Sequence, residues 1–128
     1  MRTFVLGAML VVASTGASFA QSADDGMGVF QRFCSPCHDV GPGARVKLGP
    51  PLNGLDGRKA GSFEGFNYSD VMKNANVTWN EAQFKEFIRA PQMKFPGTRM
   101  AFTGLKEDAD VNNIWAYLVS FGPNGDKK

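Results

Sequence analysis

Apolar and polar positions alternate along the chain in a way that marks helical stretches separated by segments rich in glycine and proline. After Asp24 or Asp25, either of which can cap a helix, Val29, Phe30 and Phe33 fall on one side of a 3.6-residue period. Gly26, in the same stretch, has no side chain and leaves room for a second helix to cross closely. Residues 39–66 follow neither the helical nor the strand period, which predicts one long loop. Ser69 caps a short helix over 69–74. Thr78-Trp79-Asn80-Glu81 has the form of a capping box and opens a helix through Ile88, with Phe84, Phe87 and Ile88 inward, until Ala90-Pro91 stops it. Residues 92–104 are again irregular. The last helix starts near 106–108. Its Val111, Ile114, Trp115 and Leu118 recur at i, i+3, i+4 and i+7, and Gly122-Pro123 ends it. No strand pattern is legible, so the expected fold class is all-α, with three main helices, shorter ones and long loops. A loop as long as 39–66 in a compact domain signals function or a missing part of the core.

Composition narrows the function classes. The chain has 128 residues, with 14 Lys+Arg against 12 Asp+Glu, too small a cationic surplus for a protein that binds nucleic acid by neutralising phosphates. A hydrophobic content of 43% argues against disorder. With 1 His and 2 Cys, a triad-type hydrolase would have to use His38, which is adjacent to Cys37. Residues 1–20 combine Arg2, an apolar run over 4–13 and small residues at Ser18 and Ala20. This is the pattern of a secretory signal cut after Ala20, with an apolar run too short to span a bilayer. Residues 21–128 then form a single exported domain, expected to be monomeric and not membrane-inserted.

The densest chemistry lies in Cys34-Ser35-Pro36-Cys37-His38. The Cys-x-x-Cys-His spacing is the attachment signature of a c-type haem: two thiols one helical turn apart can each add to a vinyl group of one porphyrin, and the next His lies beneath the iron. A covalently held porphyrin also accounts for the long loops, as the apolar core around which they wrap. Other readings carry less. A disulfide between residues so close is strained. A thioredoxin-type dithiol needs a strand before it, whereas a helical pattern precedes this one. A zinc site would lack a fourth ligand. With no second His, the sixth iron position falls to a Met or stays open. Met27 and Met72 sit in helical stretches and read as packing. Met93 and Met100 sit in the second irregular stretch, and Met100 is favoured because Pro96-Gly97 turns the chain before it and Thr98 offers a hydroxyl to pin the loop.

In this order, several short stretches resemble the class I cytochrome c family, of the mitochondrial type and the bacterial cytochrome c2 group. They are Gly26 with Phe30, the Cys34–His38 motif, Gly49-Pro50, Asn53-Gly54-Leu55 with Gly57-Arg58, Gly65-Phe66-Asn67-Tyr68, Val77-Thr78-Trp79, Pro96-Gly97-Thr98-Arg99-Met100, Phe102-Thr103-Gly104-Leu105-Lys106 and Tyr117-Leu118. The resemblance implies a small class I fold around one covalent haem c, with Cys34 and Cys37 as thioether donors and His38 and Met100 as axial ligands. It further implies that the Pro50 carbonyl accepts from the His38 ring, that Arg58, Tyr68 and Trp79 hold one haem propionate and Thr98 the other, and that Phe102 covers the haem beside Met100. The implied activity is one-electron transfer in the bacterial periplasm. It would run from a quinol-oxidising bc1-type complex to a cytochrome oxidase or photosynthetic reaction centre. A haem enzyme or sensor with an open iron position, such as a peroxidase, and an exported dithiol oxidoreductase are the alternatives.

Two departures from the family stand out. Met72 replaces an Asn usual in mitochondrial relatives, and Phe87 replaces a Tyr beside the Met ligand, which predicts a drier haem cavity. The lysine rim of the family is reduced to Arg45, Lys47, Arg99 and Lys106, with Phe33, Gln92 and Glu107 where lysines often stand. That predicts a more apolar partner contact with a shallow dependence on ionic strength.

Overall fold

Ser22, rather than Asp24 or Asp25, starts the first helix: its hydroxyl accepts from the Asp25 N–H at 3.1 Å, and α1 runs over Ala23–Val29. The two aspartates occupy the first turn instead, where their charge complements the positive helix end. The computed structural model describes residues 10–13 and 21–128. Residues 10–13 form no regular element and are exposed, and the rest of the expected signal peptide lies outside the described residues.

α1 continues into a turn of π-helix, Phe30–Cys34, closed by the Ser35 N–H to the Phe30 carbonyl. The wider turn shifts the phase of the side chains that follow. Phe30 and Cys34 remain buried, but Phe33, expected to share their inward face, is 37% exposed. Met27, read as packing, is also exposed, at 45%.

α2 spans Asp70–Lys73 and is capped by Ser69. α3 spans Glu81–Arg89, and its cap is Asn80, whose side-chain oxygen accepts from the Gln83 N–H at 2.9 Å. The expected capping box from Thr78 does not form: Glu81 instead bonds Lys85 at 2.7 Å and Gln21 at 2.6 Å, while Thr78 pairs with Lys59 in an isolated bridge. α4, Pro91–Lys94, lies where irregular chain was expected; Pro91 occupies a first-turn position, which needs no N–H. α5 spans Asp108–Leu118. Among the described residues strand pairing is limited to two isolated bridges, so the class is all-α. No described helix is long and apolar enough to cross a membrane.

The main helix contact is α1 against α5. It is close because Gly26 faces the α5 backbone: a Cβ there would overlap the Asn113 carbonyl oxygen and lie 2.7 Å from the Tyr117 Cβ. Phe30 and Tyr117 pack alongside with ring centroids 5.6 Å apart, and the Ser22 N–H donates to Asn113 Oδ1 at 2.9 Å. α3 joins through Phe84, 5.3 Å from Trp115. Val111 and Ile114 are fully buried between these helices. The crossing fixes where the end of α1, and therefore the Cys34–His38 motif, enters the rest of the molecule.

Candidate haem site

Beside this helix core lies a cavity of about 780 Å³, within the range of small-molecule and cofactor sites. Every residue expected to hold the haem or its iron lines it: Cys34, Cys37 and His38 from the end of the π-turn, Pro50 and Arg58 from the long loop, Tyr68 and Trp79 before α2 and α3, and Thr98, Met100 and Phe102 from the loop after α4. The remaining wall is mostly apolar and includes Leu52, Leu55, Phe84 and Ile88.

The histidine is held in a defined state. His38 Nδ1 lies 2.7 Å from the Pro50 carbonyl oxygen. A carbonyl only accepts, so Nδ1 carries the proton and the Nε2 lone pair is left free to bind a metal. Gly49 packs on the imidazole so closely that a Cβ there would overlap the ring. Burial pushes the His38 pKa below its ordinary value; the Pro50 bond opposes this, and the charges of Arg58 and Lys47 add to it. The ring is therefore neutral, as a metal ligand must be.

The two thiols are not joined to each other. Burial, with the nearby Cys37, pushes the Cys34 thiol up to about 12. A thiol kept protonated is a poor nucleophile, the reverse of the lowered pKa that a dithiol oxidoreductase needs. The all-α fold likewise lacks the strand such a site requires. No cluster of His, Cys, Asp or Glu suited to a metal ion occurs among the described residues, so the zinc reading has no geometry either.

The methionines sort by position. Met93 is 83% exposed on α4, whereas Met100 lines the cavity. The Met100 loop is pinned at several points: the Met100 N–H donates to Thr98 Oγ1 at 3.3 Å, and the Gln92 side-chain amide donates to the Thr98 and Met100 carbonyls at 2.9 and 3.2 Å. Gln92 was legible in the sequence only as a missing lysine; its role follows from α4, whose Pro91 start was the available signal. Met72 and Phe87 also line the cavity, and Phe87 packs against Trp79 and Phe95 at 5.2 and 5.6 Å.

The polar residues leave room for an anionic group. Arg58 Nη1 donates to the Pro51 and Asn53 carbonyls at 2.9 and 3.1 Å, leaving its other donors. Tyr68 accepts from the Phe63 N–H at 3.1 Å through its hydroxyl oxygen, which keeps the O–H to donate. Among the described residues no carboxylate lines the cavity, so the half-buried guanidinium has no acidic partner there. Two free thiols, a neutral imidazole with an open Nε2, a thioether, an apolar wall and a cation without an anion fit a covalently attached porphyrin with ionised propionates.

Comparison with known proteins points the same way. The cytochrome c family model matches residues 23–122. The chain is 56% identical over 97 residues to a cytochrome c2 of Rhodoplanes tepidamans, covering 76% of this chain and 91% of the relative. It is 47% identical over 128 residues to cytochrome c2 of Blastochloris viridis, with 100% of both chains covered. Over 108 residues it is 55% identical to cytochrome c2 of Rhodoblastus acidophilus, covering 84% of this chain and 100% of that one.

Proposed function

Since the chain belongs to the cytochrome c family, in which it is an electron-transfer protein carrying covalent haem c rather than an enzyme, we propose that Cys34 and Cys37 hold the haem, that His38 and Met100 are its axial ligands, and that the protein is a soluble periplasmic carrier between membrane complexes. The carrying observation is the convergence of the two thiols, the open Nε2 of His38 and the Met100 side chain on one cavity. The haem supplies a one-electron ferric/ferrous couple. The chain's part is to keep that couple's surroundings unchanged in both states. The Pro50 carbonyl holds the imidazole, while Thr98 and Gln92 hold the Met100 loop. Arg58, Tyr68 and Trp79 would receive one propionate and Thr98 the other, and Phe102 would cover the haem beside Met100; all five line the cavity. Met72 and Phe87 put a thioether and a phenyl ring where hydroxyl or amide groups would otherwise draw in water, which keeps the cavity dry.

The physiological partners we assign are a quinol-oxidising bc1-type donor and an oxidase or reaction-centre acceptor, met through brief contacts at the cavity rim. That rim exposes Phe33, Val46 and Leu48. Lys47 and Arg99 are the exposed cations beside these apolar side chains, and the Lys47 ammonium also donates to the Ser35 carbonyl. The contact is accordingly more apolar than charged.

The test is a pyridine haemochrome spectrum of the exported protein, with a reversible one-electron redox titration. A c-type spectrum and a Met-to-iron absorption band in the ferric state at neutral pH are expected. A colourless, well-folded protein would overturn the reading, and an open-iron spectrum would favour the enzyme or sensor alternative.

A further inference from the structure

We infer that Asn53 is a positioning residue for the His38 imidazole, acting through the Pro50 carbonyl. The inference rests on His38 being a haem ligand, as proposed above. Residues 37–41 and 49–53 run side by side and bond in register. The Gly49 N–H donates to the Cys37 carbonyl at 2.8 Å, His38 Nδ1–H to the Pro50 carbonyl at 2.7 Å, and the Leu52 N–H to the Asp39 carbonyl at 3.0 Å. The middle of this ladder is poor in donors, because Pro50 and Pro51 have no N–H. It is there that the carbonyl facing His38 sits.

Asn53 closes the far end. Its Oδ1 accepts from the Gly41 N–H at 2.7 Å, and its Nδ2 donates to the Gly41 carbonyl at 2.9 Å. Two bonds to one residue fix orientation as well as distance, which a single bond does not. On the same segment Arg58 Nη1 bonds the Pro51 and Asn53 carbonyls. Without the carboxamide, the Gly41 N–H loses its partner and the Gly41 carbonyl keeps only the 3.2 Å bond from the Ala44 N–H, so the Pro50-Pro51 segment is held to the His38 segment at that end by the Leu52 bond alone. The Pro50 carbonyl is then held less firmly against the ring.

A hydrogen bond at the outer nitrogen makes a ligating imidazole more basic and favours the more highly charged metal. Loosening it favours the ferrous state. In the haem-loaded full chain, Asn53→Ala is expected to speed hydrogen exchange at His38 Nδ1 about tenfold in the ferrous protein, read by NMR. It is also expected to lower the ferric-to-ferrous ratio at fixed ambient potential about threefold, an upward shift of about 28 mV at 59 mV per tenfold change. Asn53→Asp keeps an acceptor for the Gly41 N–H but sets a carboxylate oxygen against the Gly41 carbonyl, so both readouts move in the same direction by less. Val119→Ala, which trims a residue packed on the core that makes no bond in this ladder, is the stability control and should move neither. The inference is overturned if Asn53→Ala loses stability yet keeps the parent's exchange rate and potential, or if Val119→Ala shifts them equally. Should Asn53→Ala not accumulate, Asn53→Asp decides by the same readouts, and parent-like values overturn the inference. Failure of the ligand reading is separate: it would appear in the parent's own visible spectrum.

Discussion

Gly26 offers a sharp test because its neighbour in the same helix, Gly28, meets the opposite surroundings. An alanine Cβ at 26 would lie 2.7 Å from both the Asn113 carbonyl carbon and the Tyr117 Cβ, whereas ordinary contacts fall at 3.4–4 Å. The obstacle is largely backbone and cannot rotate away, so α1 must withdraw from α5 by about 0.7 Å or more, given that interiors are close-packed. Overpacking of this kind costs about 1–3 kcal/mol, and the better helix propensity of Ala returns at most about 1 kcal/mol. Because the overlap is with backbone, the upper part of that range, about 2–3 kcal/mol, applies, and after the propensity gain the expected net loss is about 1–2 kcal/mol, or a fall in Tm of roughly 4–16 °C for a domain of this size. At Gly28, which is exposed with nothing within 4 Å of a Cβ, only the propensity gain remains, so Gly28→Ala should stabilise by up to about 1 kcal/mol. Guanidinium and thermal melts of the ferric holoprotein, followed by circular dichroism and by haem absorption, measure both. Gly26→Ala melting at or above the parent, or Gly28→Ala losing as much as Gly26→Ala, would refute the argument that close backbone approach sets this crossing.

Other expectations follow from the site and its rim. Met100→Leu should abolish the Met-to-iron absorption band while Met93→Leu leaves it intact; a band lost in the Met93 variant would assign the ligand wrongly. Electron-transfer rates to a purified oxidase should fall only gently between low and physiological salt, because the rim carries few cations and exposes Phe33, Val46 and Leu48; a steep slope contradicts this. Burial raises the Tyr68 pKa, with the Phe63 N–H and Arg58 opposing. The folded state thus holds the phenolic proton more tightly than the unfolded chain. The associated stability is present below about pH 10 and is lost as pH rises through the folded value. Denaturation midpoints measured upward from pH 8 should show that fall, and Tyr68→Phe should flatten it; an unchanged slope in the variant would remove Tyr68 as its cause.

What could be read locally was read from the sequence. The Cys34–His38 spacing specifies covalent haem chemistry because the reacting groups lie within one turn of each other. The period of Val111, Ile114, Trp115 and Leu118 specifies a buried helix face, and those residues are buried. Gly26 was legible as a crossing point, and the aperiodic 39–66 stretch as chain that needs another core to wrap. Where two local solutions compete, the sequence could not choose. Asp24, Asp25 and Ser22 can all cap α1; Thr78 and Asn80 can both cap α3. Glu81 is drawn to Gln21 and Lys85, partners 60 and 4 residues away in the chain.

The π-turn before Cys34, which turns Phe33 outward, leaves no periodic trace, since one added residue looks like noise in a short pattern. Gln92 and Asn53 act on backbone groups 6 to 12 residues distant, and no spacing rule announces such bonds. The amino-acid order determined the chemistry, because thioether and imidazole reactivity belongs to side chains and their immediate neighbours. The tertiary structure alone decided which residue caps each helix, what pins the Met100 loop and what steadies the histidine, because each depends on groups that meet only when the chain closes on itself.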